Sequence, residues 1–253
     1  MASNNWDAAQ YLKFEEERTL PARDLLSRVE GAPKTAADIG CGPGNSTALL
    51  ARRFGEAEIT GMDYAEDMLE KARLHYPGLH FIRCDAEKDL GRFREGFGLV
   101  FSNACIQWIP NHKKLIPQMF AMLKPGGTLA VQLPMNYSEP IQLIIRETAR
   151  KFGLPLRKLD VLAPEEYYDV LAALTARFSL WQTTYIHRLR GCEDIIQWYR
   201  GTGMRPYLSL LDEPGKAEFE AAVLREAQKC YRARGDGSVM FPFPRFFFTA
   251  EKE

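Results

Sequence analysis

Ala37-Asp38-Ile39-Gly40-Cys41-Gly42-Pro43-Gly44-Asn45-Ser46 is an apolar run that breaks into a glycine-rich turn and then opens a helix-compatible stretch. In a doubly wound α/β sheet such a turn lies at the C-terminal edge of a strand, where ligands bind, and its glycines let backbone approach a ligand closely. A pyrophosphate-binding fingerprint requires a third glycine at position 45, and Asn45 stands there instead, so the spacing departs from the dinucleotide form. Taken alone, the segment is weak evidence, and a plain strand-to-helix connection is the alternative.

The surrounding sequence decides in favour of the sheet. From residue 35 to 133, short apolar runs alternate with amphipathic segments, the pattern of a parallel sheet with crossover helices. Strands are expected at 35–39, 58–62, 80–84, 99–102 and 128–133, with helices at 46–54, 65–75 and 113–123. The last helix is closed by Lys124-Pro125-Gly126-Gly127, which reads as a stop and turn. Beyond residue 138, helices are expected at 139–152, 164–174, 193–199 and 214–234, and alternating apolar runs at 178–189 and 238–250 suggest a late antiparallel pair. Pro242 and Pro244 assign the second run to an edge or bulged strand. The expected fold is a seven-stranded, mostly parallel α/β sheet. Its parts are an N-terminal helical lid segment at 1–30, a core at 31–138 and a remainder at 139–253 with a helical cap at 190–237.

The chain has 253 residues, with 33 Lys+Arg against 33 Asp+Glu. A nucleic-acid binder normally carries a basic excess or stripe, so the zero formal charge argues against that role. No run approaches the roughly 20 apolar residues of a membrane span, and the start of the chain is polar and acidic where a secretory leader is basic and then apolar. The five cysteines, with no Cys-x-x-Cys pair, fit reduced thiols in the cytoplasm. Neither disulfides nor a metal site is expected, and no protein partner is evident.

Polar groups recur at successive strand ends. Asp63 ends the second strand about 20 residues after the glycine turn, where a carboxylate can accept both hydroxyls of a ribose. Asp85 with Ala86 ends the third strand, placed for an adenine amine, and Asn103 ends the fourth. Convergence of four strand ends on one crevice is much harder to obtain by chance than any one of them.

In order, AADIGCGPGNST, GMDYA, CDAE, SNACIQWI and LKPGGTLAV resemble the motifs of class I S-adenosylmethionine-dependent methyltransferases over residues 35–133. The resemblance implies that Gly40, Gly42 and Gly44 flank the methionine part of the cofactor and that Asp38 is oriented towards its ammonium. It also implies that Asp63 binds the ribose, that Asp85 and Ala86 lie at the adenine, and that Asn103 presents backbone near the methionine end. Tyr64 and Met68 are apolar neighbours of adenine or ribose, Met68 being equally compatible with helix packing. Trp108 lines the wall between cofactor and substrate or belongs to the core. Trp6 and Tyr11 either close over the cofactor or anchor the terminus.

A second set, the N-terminal tract around Trp6 and Tyr11, Gln107-Trp108-Ile109-Pro110, Gln132-Leu133-Pro134-Met135-Asn136 and the tract from Trp198 to Tyr207, narrows the resemblance. It points to the branch that methylates one carboxylate of the small tricarboxylate trans-aconitate. A tricarboxylate calls for cationic forks and hydroxyl donors. Arg200 and Arg205, with Tyr199 and Tyr207 beside them in a glycine-interrupted turn, are the candidate substrate cluster; a solvated helix-end arginine is the alternative for either. Tyr185 and His187 share one strand face and could donate to another carboxylate, although His187 also suits a plain surface or core position. His112, Lys113 and Lys114 are read as a surface helix start, and Glu15-Glu16-Glu17 as a solvated helix face. A carboxylate with an intrinsic pKa of about 4 is already ionised at neutral pH, so no general base is required.

Overall fold

The structure, a computed structural model, describes residues 15–156 and 160–253, with side chains described from Thr19 onward. Its strands are β1 (Thr35–Ile39), β2 (Glu58–Asp63), β3 (His80–Arg83), β4 (Phe97–Asn103), β5 (Leu123–Pro134), β6 (Phe178–Leu189) and β7 (Val239–Glu251). The helices are α1 (Glu15–Ser27), α2 (Asn45–Arg53), α3 (Glu66–His75), α4 (His112–Ala121), α5 (Pro140–Lys151), α6 (Pro164–Ala172), α7 (Cys192–Arg200), α8 (Arg205–Leu208) and α9 (Glu213–Cys230). The seven strands form one sheet in the order β3-β2-β1-β4-β5-β7-β6. β1 to β5 run parallel, and β7 pairs antiparallel with β5. The order reverses between β1 and β4, which makes their C-terminal ends the switch point where open α/β sheets bind ligands.

The chain divides into two compact units. One contains Arg18–Pro134, Leu159–Gln182 and Arg245–Glu253, and therefore β1 to β5. Its central strands are buried on both faces, so they read as apolar runs broken only by Asp38 and Ser102: Ala36 to Ile39 and Leu99 to Ser102 are all buried. Helix α2 closes with Arg52 and Arg53 against its carbonyl end, and α3 opens with Glu66 and Asp67, both favourable with the helix dipole. The other unit includes Met135–Lys158 and Thr183–Pro244. There Ile141, Ile145, Ile195, Trp198, Phe219, Val223 and Phe241 share one core, on which α5, α7, α8 and α9 pack.

Three expectations are corrected. The Lys124-Pro125-Gly126-Gly127 segment is no turn but a bulge inside β5. Pairing advances from Leu123 to Thr128 on β5 while β4 advances from Phe97 to Leu99. Gly126 takes φ +74°, and its N–H donates to the carbonyl of Lys252 at 2.7 Å, so the surplus residues are tied to the end of the chain. β7 is not an edge strand, since it lies between β5 and β6. Pro242 and Pro244 are tolerated because pairing with β5 begins only at Arg245. His112 is not on the surface: it is buried, its ring held between the Tyr167 hydroxyl (2.6 Å) and the Ile106 carbonyl (2.8 Å). Lys113, beside it, is exposed and pairs with Glu166 at 2.8 Å.

Candidate active site

The glycine turn follows β1 directly, with Gly40, Gly42 and Gly44 at φ +73°, +55° and +94°. A Cβ on Gly40 would lie 2.1 Å from the Cys105 Sγ, so glycine is required there by the neighbouring strand end as well as by backbone conformation. The N–H groups of Gly40 and Cys41 both donate to the Met62 carbonyl, at 2.7 and 3.0 Å, which locks the turn onto the end of β2.

Two carboxylates brace this loop. Asp63 accepts from the backbone N–H of Gly42 through Oδ2 and of Ala65 through Oδ1, each at 2.9 Å. Each oxygen keeps a lone pair for a further donor such as a ribose hydroxyl. Asp38 is completely buried, and its Oδ2 accepts from the hydroxyls of Ser46 (2.6 Å) and Thr47 (2.7 Å) at the start of α2. Its Oδ1 is buried with no hydrogen-bond partner. Burial raises the Asp38 pKa to about 6; the Ser46 and Thr47 hydroxyls oppose the rise, and the charge of Asp63 adds to it. Burial also raises Asp63, against the backbone N–H groups that it accepts. An anionic group with an unfilled acceptor in a glycine cradle calls for a cationic, N–H-bearing ligand.

Asp85 is held differently. Its Oδ2 accepts from Lys88 Nζ at 2.8 Å and its Oδ1 from the N–H of Glu87 at 3.0 Å, and the Lys88 bond holds its pKa below the usual carboxylate range. Ala86 follows it, half-buried. Tyr64 is exposed, with the Arg83 guanidinium over its ring at 5.4 Å, and Met68 is buried on α3. Asn103 ends β4 half-buried, its Oδ1 buried without a partner, and Trp108 is partly exposed on a single turn of 3-10 helix. Burial pushes the thiols of Cys41, Cys84 and Cys105 above their ordinary values, Cys84 to about 11, so none is a thiolate nucleophile at neutral pH. Trp6 and Tyr11 lie outside the described residues.

The expected substrate residues all fall in the second unit. The Arg200 guanidinium is a two-pronged partner of Glu220. The Tyr199 hydroxyl accepts from Asn136 Nδ2 at 2.8 Å. Tyr207 is buried and stacked on Phe219 at 6.0 Å, whereas Arg205 opens α8 with its N–H on the Thr202 carbonyl. Tyr185 and His187 do come together, stacked at 6.4 Å, and His187 packs against Trp198 at 5.0 Å. Phe241 joins the rings of His187 and Tyr199 in one aromatic cluster.

Sequence reasoning missed the hydroxyls of Ser46 and Thr47, for which Ser-Thr opening a helix beside a strand-end Asp was the available clue. It also missed Gln132 and Arg245, buried polar side chains inside strands β5 and β7. Each interrupts an apolar run, and that interruption was legible.

Comparison with known proteins agrees with this fold. Residues 36–127 match the family model described as a methyltransferase domain. Among solved structures, YcgJ from Bacillus subtilis superposes with a TM-score of 0.62 at 14% identity, covering 94% of this chain and 99% of that one. Geranyl diphosphate C-methyltransferase from Streptomyces coelicolor gives 0.55 at 16%, covering 96% and 82%. Fold and site together define a class I methyltransferase. At the level of sequence the likeness is much closer. Trans-aconitate 2-methyltransferase of Sinorhizobium fredii is 44% identical over 98% of this chain and 99% of its own length, and that of Rhodopseudomonas palustris 42% over 98% and 99%. The chain belongs to the trans-aconitate 2-methyltransferase family.

Proposed function

We propose that the protein transfers the methyl group of S-adenosylmethionine to one carboxylate of trans-aconitate, releasing the monomethyl ester and S-adenosylhomocysteine. The observation that carries this reading is likeness to trans-aconitate 2-methyltransferases along nearly the full length, in a chain whose crevice is braced by Asp38 and Asp63. The cofactor, when bound, supplies an electrophilic methyl carbon on a sulfonium. Asp38 receives its ammonium, Asp63 its ribose, Asp85 and Ala86 its adenine, and Asn103 lies at the methionine end, with Gly40, Gly42 and Gly44 admitting it close to backbone. The substrate carboxylate arrives ionised, so the protein has to align, desolvate and neutralise rather than abstract a proton. Tyr64, Met68 and Trp108 border the cofactor. The balanced charge and the five free cysteines support a cytoplasmic enzyme of small molecules rather than of nucleic acid.

The test is incubation of the purified protein with methyl-labelled S-adenosylmethionine and, separately, trans-aconitate, cis-aconitate, citrate and a fatty acid. Extractable ester label is expected chiefly with trans-aconitate. Label with none of the tricarboxylates, despite S-adenosylhomocysteine binding, would discard the substrate and keep the cofactor.

A further inference from the structure

Strand register places an unusual set of polar side chains on one face of the sheet. Asp38 pairs with Phe101, Asn103 with Gln132, Gln132 with Phe247 and Pro134 with Arg245. Cross-strand partners share a face, as do alternate residues along a strand. Asp38, Asn103, Gln132 and Arg245 therefore lie on the same face, at or near the C-terminal ends of β1, β4 and β5. Gln132 is fully buried, and neither its Oε1 nor its Nε2 has a hydrogen-bond partner. A carboxamide left so destabilises the fold unless something arrives to use it. Arg245, one pairing level further out, is 3% exposed and permanently charged.

The direction of the crevice separates cofactor from acceptor. Gly40, Gly42, Asp63 and Asp85 lie at the ends of β1, β2 and β3, on one side of the switch point. Gln132 lies on β5, two strands and about 10 Å to the other side of β1. A cofactor held by Asp85, Asp63 and the glycine turn would occupy the ends of β3, β2 and β1 and would leave β5 to the group being methylated. We propose that Gln132 and Arg245 are the carboxylate-recognition residues of this site. Gln132 Nε2 donates to one oxygen of the reacting carboxylate, which leaves the other to attack, and the Arg245 guanidinium pairs with a carboxylate that does not react. The oxygen forms its bond to the methyl carbon as the carbon–sulfur bond breaks, the electron pair stays on sulfur, and no proton moves. The assignment rests on the substrate reading above.

Four measurements on Gln132→Leu test it: melting temperature, S-adenosylhomocysteine affinity, and KM and kcat for trans-aconitate. The expected result is a KM raised at least tenfold with a lowered kcat, S-adenosylhomocysteine affinity within twofold of wild type, and no loss of melting temperature, because the replacement removes an unsatisfied buried amide. A structural role would instead lower the melting temperature and leave KM alone. For Arg245→Met, with Arg245→Lys as the charge-retaining variant if the first does not fold, the readout is discrimination against mesaconate and glutaconate, each lacking one carboxylate of trans-aconitate. That discrimination should shrink by tenfold or more for one of them. Wild-type turnover with unchanged KM in Gln132→Leu, or weakened S-adenosylhomocysteine binding alone, overturns the assignment and leaves the substrate reading standing. Absence of wild-type turnover overturns both.

Discussion

Asp38 is the residue at which stability is set against the proposed capture of the cofactor's ammonium. Its carboxyl titrates near 6 in the folded protein, above its ordinary 3.8, because burial disfavours the charged form more than the Ser46 and Thr47 hydroxyls favour it. The folded state thus binds this proton more tightly than the unfolded chain, and stability falls as pH rises from about 4 through 6. At about 1.4 kcal/mol per pH unit, the full cost at pH 7 is on the order of 3 kcal/mol. Asp38→Asn should accordingly raise the melting temperature at pH 7 and leave it nearly unchanged at pH 4, while weakening S-adenosylhomocysteine binding at least tenfold. A melting temperature that falls at pH 7, with ligand affinity retained, would show that the carboxylate is held for the hydroxyl bonds alone. Asp38, Asp63 and the three glycines were legible from the sequence because each sits at a fixed offset from a strand end. Gln132 and Arg245 were legible only as polar breaks in apolar runs; that they share a face was not, since it depends on which strands become neighbours, and a β5–β7 pairing spans more than a hundred residues.

Helices α4 and α6 are joined through a buried histidine that the sequence suggested was solvated. The Ile106 carbonyl can only accept, so His112 Nε2 carries the proton and Nδ1 accepts from the Tyr167 hydroxyl. Burial lowers the His112 pKa and keeps the ring neutral, which this arrangement requires. Tyr167 in turn packs on Phe246 and Phe248 of β7 at 5.0 and 5.8 Å. Tyr167→Phe keeps that packing and strands Nδ1, so unfolding free energy should drop by about 1–3 kcal/mol with kcat/KM within twofold of wild type. Denaturant titration beside steady-state kinetics measures both, and unchanged stability would mean that water replaces the hydroxyl. Helix periodicity located α4 correctly but misjudged its first residue, because the partner that buries His112 lies 55 residues away. The Pro125-Gly126-Gly127 bulge was misread for a related reason: local turn chemistry was right about the kink and silent about the strand continuing through it.

Both compact units draw on the same last strand, and this shapes how the protein should unfold. Val239, Phe241 and Phe243 belong to the core with Trp198 and Phe219, whereas Arg245–Glu251 is the stretch of β7 that pairs with β5. Unfolding of β7 along its whole length removes apolar side chains from both units, so a single cooperative transition is expected even though each unit has its own core. A ligand bound to one unit then stabilises the protein as a unit, by RT ln(1 + [L]/Kd), or about 2.7 kcal/mol at a hundredfold excess over Kd. For a chain of 253 residues, at roughly 2–4 °C per kcal/mol, S-adenosylhomocysteine should raise the melting temperature by about 5–10 °C. NADH should leave it unchanged, because Asn45 replaces the glycine that a pyrophosphate needs. Calorimetry with and without each ligand reads this directly. One peak that moves as a whole with S-adenosylhomocysteine bears out coupling through β7, whereas two peaks of which only one moves would show that the two cores unfold independently.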